Sequence, residues 1–142
     1  MKKIKRLQVL VNLAELKEKE ALKLLAEAQR LKKLEHDKLE QLCSFKDQYA
    51  KTSQSSEQQG ISISRFLENR SFMSKITDAI EEQKKRSRST ESKIQQRHAE
   101  WLKARHNRLK FENLIGIERE RHNKLLEKQI QNEIDNRPYR KP

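Results

Sequence analysis

Glycine, proline and cysteine are nearly missing from this 142-residue chain, and each shortage closes off a class of function. With only Gly60 and Gly116 there is no glycine-rich loop to cradle phosphates, so a nucleotide site of the usual kind is excluded. A lone Cys43 excludes an internal disulfide framework, suits a reducing compartment, and reads as a small apolar residue beside a helix seam. The four histidines, His36, His98, His106 and His122, never fall three or four residues apart, so no metal site is visible and no cofactor is expected. Apolar residues make up 33% of the chain and aromatics 5%, too little to fill a compact core. No uncharged stretch approaches the ~20 residues needed to span a bilayer. The opening MKKIKRLQVLVNLAEL sets a basic run before an apolar one, as a secretion signal does. Its apolar part is short, contains Gln8 and Asn12, and leads into Glu15, Lys17 and Glu18 without a small-residue cleavage site. The expectation is a cytoplasmic chain that is at most membrane-associated.

Charge is what the chain has in abundance: 38% of residues are Asp, Glu, Lys or Arg and the formal net charge is +12. An excess of that size implies an acidic partner, whether nucleic acid, an anionic membrane surface or an acidic protein. Glutamates are spread among the lysines and arginines, so most of these charges read as a solvated helix surface. High charge with low hydrophobicity also fits disorder. The near absence of Gly and Pro from about residue 3 to residue 136 points the other way, because in a helix interior they cost roughly 1 and 3 kcal/mol.

Periodicity supports long helices. Counting Leu7 as position a of a heptad places Leu7, Ala14, Ala21, Ala28, Leu42 and Tyr49 at a, and Leu10, Leu24, Leu31 and Phe45 at d, interrupted by Lys17, Glu35 and Lys38. A first helix over about 3–51 is expected, with Asn12 and Glu15 in the form of a capping box near its start. The segment TSQSSEQQGI over 52–61 reads as a polar tip, after which Ser62 or Ser64 caps a second helix over about 62–136. That helix would hold roughly 75 residues, about 110 Å at 1.5 Å per residue. The fold class is therefore all-α, a long two-helix antiparallel coiled-coil hairpin in one coiled-coil domain over 1–142, ending in a basic tail at 137–142.

In that hairpin Phe45 lies near Phe72, Leu42 near Ile76, Leu24 near Ile94 and Leu16 near Trp101. The apolar beat of the second helix nearly vanishes between Glu81 and Lys93. From about residue 112 the second helix outlasts the first, leaving Leu114, Ile115, Ile117, Leu125, Leu126, Ile130 and Ile134 as an overhang without a partner inside the hairpin. A second, weaker line through Leu39, Cys43 and Ala50 competes for the seam near the tip. The run KKRSR at Lys84 to Arg88 resembles a nucleic-acid patch, yet it sits mid-helix, lacks interleaved aromatics and precedes Glu91. A two-helix rod offers no cleft that excludes water, so enzymatic activity is not expected.

The polar tip ending in Gly60-Ile61, Phe66, the stretch FMSKITDAI from Phe72 to Ile80, the Glu-Trp-Leu-Lys around Trp101 and the basic Arg137 to Lys141 together resemble the FliJ family. These are stalk proteins of the flagellar type III export apparatus. The resemblance implies an antiparallel coiled coil whose paired ends enter the pore of the hexameric export ATPase. The loop-proximal part docks on the cytoplasmic domain of the membrane export gate protein, and the family also handles export chaperones. Such a protein is not an enzyme; it sits peripherally on the cytoplasmic face of the inner membrane through its partners. Carried onto this sequence, gate docking falls on Leu42, Phe45, Tyr49, Phe72, Ile76 and Ala79, flanked by Lys38 and Gln83, which depart from the Gln and His of the family. Bare helix ends carrying Leu7, Leu10, Leu13, Leu125 and Ile130 would bear on the ATPase ring. The heptad count places Leu42, Phe45 and Tyr49 in the seam whereas docking needs them outside, and both readings stand at this stage. Other readings are the equivalent stalk of a virulence secretion system and a basic coiled coil that binds nucleic acid.

Overall fold

The computed structural model describes residues 2–137, so most of the expected basic tail lies outside the described residues. Two helices account for nearly all of it, α1 over Lys2–Gln59 and α2 over Ile63–Asp135, and no strand occurs among the described residues. The helices are packed against each other as a helical hairpin. Two compact units make up the chain: a terminal unit from the described parts of Met1–Leu22 and Glu100–Pro142, and a turn unit, Lys23–Ala99.

The first helix runs eight residues beyond its expected end at 51, so the polar segment TSQSSEQQ is helix rather than tip. Serine, threonine and glutamine cost a helix only tenths of a kcal/mol each, and the Thr52 hydroxyl donates to the Gln48 carbonyl at 3.0 Å, keeping its polar group within the helix. The chain turns at Gly60-Ile61-Ser62. Gly60 takes φ +94, a left-handed conformation that costs an L side chain about 1–2 kcal/mol, and its N–H donates to Glu57 O at 3.2 Å. Ser62 caps α2, its Oγ accepting from the Arg65 N–H at 3.1 Å. Asn12 is no cap: α1 already begins at Lys2, and Asn12 Oδ1 accepts from Gln8 Nε2 at 3.1 Å on the helix surface.

One of the two expected lines of the α1 seam is correct. Leu7, Ala14 and Ala28 are buried and Ala21, Leu42 and Tyr49 half-buried, but Leu10, Leu24, Leu31 and Phe45 are exposed. The second line lies four residues from the first rather than three, through Ile4, Val11, Leu25 and Leu39. Charge explains the choice. Turning the three-residue line inward would bury Lys17 and Lys38, whereas two of the three charged members of the true line, which also carries half-buried Lys46, find partners on α2: Glu18 with Arg108, and Lys32 with Glu91 at 2.8 Å. Cys43 and Ala50, from the weaker line considered near the turn, are exposed.

The α2 seam keeps its beat where the apolar letters fail. Ile76 and Ile80 are buried, and the alternation of three and four residues continues through buried Gln83 and half-buried Ser87, Thr90, Ile94, Trp101 and Ala104. Leu16 and Leu24, expected opposite Trp101 and Ile94, are exposed rather than part of the seam. In the terminal unit Ile115 is buried in a cluster with Leu7 and Val11, flanked by Ile4 and Phe111, and Lys3 reaches Glu118 at 3.3 Å. Ile115 is thus core, not overhang; the later turn of the chain brings α1 further along α2 than expected. From Asn123 to Arg137 every residue is exposed, including Leu125, Leu126, Ile130 and Ile134.

Candidate docking surfaces

The residues assigned to gate docking separate into two layers within the turn unit. Ile76 is 6% exposed and belongs to the seam, and Leu42 is half-buried. Phe45, Tyr49 and Phe72 form a ring cluster above them, with Ala79 exposed nearby in sequence on α2. Phe45 and Phe72 meet edge to face, centroids 6.2 Å apart and planes at 82°, while Tyr49 and Phe72 stand 4.7 Å apart at 56°. Such pairs contribute about 0.5–1.5 kcal/mol beyond burial, which places two large rings at the surface in a fixed arrangement. Phe45 remains 47% exposed and Phe72 40%. Tyr49 is anchored instead, its hydroxyl engaged with Asn69 Oδ1 at 3.1 Å. Leu42 and Tyr49 are half-buried at the seam positions of the heptad, whereas Phe45 is exposed.

Of the two flanking residues, only Lys38 is on the surface. Gln83 is 6% exposed, and its Nε2 donates to the Glu35 carbonyl at 3.0 Å and to the Glu35 carboxylate. Lys38 holds the other Glu35 oxygen at 3.6 Å. This polar layer was missed in the sequence, although Gln83 falls at seam spacing from Ile76 and Ile80. The hydrogen bond from Gln83 holds the Glu35 carboxyl below its ordinary value of 4.5, aided by the charges of Lys38 and Arg86 and opposed by partial burial. A carboxyl that binds its proton more weakly when folded adds stability above its unfolded pKa, and that contribution is lost as pH falls through the folded value. Stability is accordingly expected to drop on acidification below about pH 4.5, and less steeply in Glu35→Gln. Thermal melts of both proteins between about pH 6 and pH 3 check this; parallel curves would remove Glu35 from the account.

In the terminal unit, Leu7, expected at a bare helix end, is instead part of the core with Val11 and Ile115. Leu10, Leu13, Leu125 and Ile130 are exposed. Half-buried Arg108 bridges the seam to Glu18 and holds Glu112 of its own helix at 3.0 Å, which pushes its guanidinium pKa further up. The KKRSR run contributes Arg86 to the field at Glu35, and its Lys84 reaches Glu81 at 3.5 Å. No helix is long and apolar enough to cross a membrane, and no cluster of three or more metal-ligating side chains occurs, among the described residues.

Two long helices packed against each other, with large apolar side chains exposed along both, define an all-α helical-hairpin protein. The chain belongs to the FliJ family: the family model described as Flagellar FliJ protein matches residues 2–138. That membership makes it a flagellar type III export-related protein, in a family of structural or export components. Comparison with curated proteins and comparison with solved structures each returned no match.

Proposed function

We propose that this chain is a non-enzymatic stalk that links the hexameric export ATPase to the cytoplasmic domain of the membrane export gate and assists passage of flagellar subunits and their chaperones. The observation that carries the reading is the ring cluster of the turn unit. Phe45 and Phe72 are large, rigid and exposed, held in position by each other and by Tyr49. Exposed aromatic anchors of this kind dominate protein interfaces. Gate docking rests on Phe45, Phe72 and Ala79, with Leu42 and Tyr49 supporting them from the seam side. In the terminal unit Leu10, Leu13, Leu125 and Ile130 supply apolar contacts for the ATPase ring. The protein works in the cytoplasm, held at the inner membrane by these partners.

The net charge of +12 favours a ring whose inner surface is acidic, and that attraction would weaken with salt over a Debye length of ~8 to 10 Å. Co-purification with the hexameric export ATPase tests the reading directly. Retention of the chain by the hexamer is expected, with dependence on nucleotide and a loss as salt rises. A hexamer that never retains it, with or without nucleotide, would sink the stalk assignment.

A further inference from the structure

With the seam of each helix assigned, a second apolar stripe becomes visible beside it in the terminal unit. Leu10 and Leu13 are exposed on α1, and Leu114 and Ile117 on α2. Each pair is spaced three residues apart, and each lies one step round its helix from the buried core of Leu7, Val11 and Ile115. In antiparallel register these four residues fall on the same flank of the helix pair, the flank crossed by the Lys3–Glu118 bridge. Leucines at seam spacing on both strands of a coiled coil, outside the occupied seam, are the pattern that receives a further helix.

The charges one helical turn before and after each pair are cationic. Arg6 precedes Leu10 and Lys17 follows Leu13 on α1; Lys110 precedes Leu114 and Arg121 follows Ile117 on α2; all four are exposed. The acid at this flank, Glu118, is half-buried and already held by Lys3 and by Arg121 at 3.4 Å. Beyond Ile117 the flank continues into a groove of about 690 Å³ along α2, where Leu125 sits among three cations, Arg121, Lys124 and Lys128, and two acids, Glu120 and Glu127, the first of them 3.9 Å from Lys124. A second copy of the same flank would set Arg6, Lys17, Lys110 and Arg121 against their own kind, which disfavours self-pairing there relative to an acidic partner. A flat lipid surface would not require matched spacing on two helices.

We infer that this flank binds an acidic amphipathic helix of a partner protein, with leucine-type side chains between Leu10/Leu13 and Leu114/Ile117 and carboxylates facing Arg6, Lys17, Lys110 and Arg121. The inference deepens the assignment of Leu10 and Leu13 to a partner by naming the chemistry they meet. It is separable from the stalk reading, because it is tested with a peptide and needs no ATPase.

The test uses the full chain and fluorescence anisotropy with three probes. These are a synthetic helical peptide with leucines at seam spacing flanked by glutamates, the same peptide with lysines for the glutamates, and phosphatidylcholine vesicles containing phosphatidylglycerol. The acidic peptide is expected to bind at least about tenfold more tightly than the lysine peptide and to weaken as salt rises from about 50 to 300 mM. Leu13→Glu with Ile117→Glu should weaken it about tenfold or more, while Leu16→Glu, exposed elsewhere on α1, leaves it unchanged. If circular dichroism shows that the double variant has lost helix, Lys17→Glu with Arg121→Glu reads the same face through its charge. Equal binding of the two peptides, binding of neither, or vesicle binding that alone responds to these variants would overturn the inference, the last in favour of a lipid surface.

Discussion

Replacing Ile115 by alanine is expected to cost about 2–3 kcal/mol of stability, the lower part of the range for an aliphatic core truncation, while Leu114→Ala one residue away costs under about 1 kcal/mol. The contrast follows from the seam. Ile115 is 6% exposed and closes the cluster of Leu7 and Val11, whereas Leu114 is 37% exposed on the flank. Two helices enclose little: the buried apolar residues are Leu7, Val11, Ala14, Leu25, Ala28, Ile76, Ile80 and Ile115, three of them in this cluster. Losing one member removes a large share of what holds the terminal unit together. The loss falls in the lower part of the range because a two-helix seam is open along both sides and can partly close over the gap. Urea unfolding followed by circular dichroism reads both variants, with Val11→Ala against Leu10→Ala as the matching pair on α1. Equal losses within each pair would mean that the helices are rotated from the register described here, and the flank argument for Leu10, Leu13, Leu114 and Ile117 would go with it.

What the letters revealed of this register, and what they hid, has a physical basis. The line through Leu7, Ala14, Ala28 and Leu42 is legible because a heptad fixes one face whatever the partner is. The second line is ambiguous, since residues three and four away from the first both border it. Leu10, Leu24, Leu31 and Phe45 are the larger side chains, against Ile4, Val11, Leu25 and Leu39, and the sequence of α1 alone favours them. The decision is made by α2, whose Arg108 and Glu91 receive Glu18 and Lys32 from the other line. The length of α1 was hidden for a related reason. TSQSSEQQ looks like a turn by composition, yet none of its residues prevents helix, and the chain turns only where Gly60 supplies a positive φ. Moving the turn toward residue 60 in turn brought Ile115 and Glu118 under α1. The ring cluster was better marked, because Phe45 and Phe72 pair across the turn in either register. The Gln83–Glu35 layer was not, since a glutamine at seam spacing carries no sign of whether it is buried until its acceptor is known.

Phe45→Ala combined with Phe72→Ala is expected to weaken binding to the cytoplasmic domain of the export gate at least about 30-fold, the effect of losing roughly 2 kcal/mol of interface anchor. Helix content should stay near that of the unaltered chain. The seam beneath the rings is carried by Ile76 and Ile80, both 6% exposed, so removal of two half-exposed side chains leaves the helix pairing in place. A modest fall in melting temperature is expected, because the ring contacts contribute about 0.5–1.5 kcal/mol each in addition to their burial. Tyr49→Phe separates the two contributions: it removes the hydroxyl that bonds Asn69 and keeps the ring against Phe72, so stability should move slightly and gate binding hardly at all. The diagnostic comparison is titration of the gate domain alongside thermal melts of the same samples. Unchanged affinity in the double variant, accompanied by a large fall in melting temperature, would make the three rings a clamp holding α1 to α2 and would remove them from any docking surface. Lost affinity with intact helix assigns Phe45 and Phe72 to the partner, since the hairpin can then be shown to fold without them.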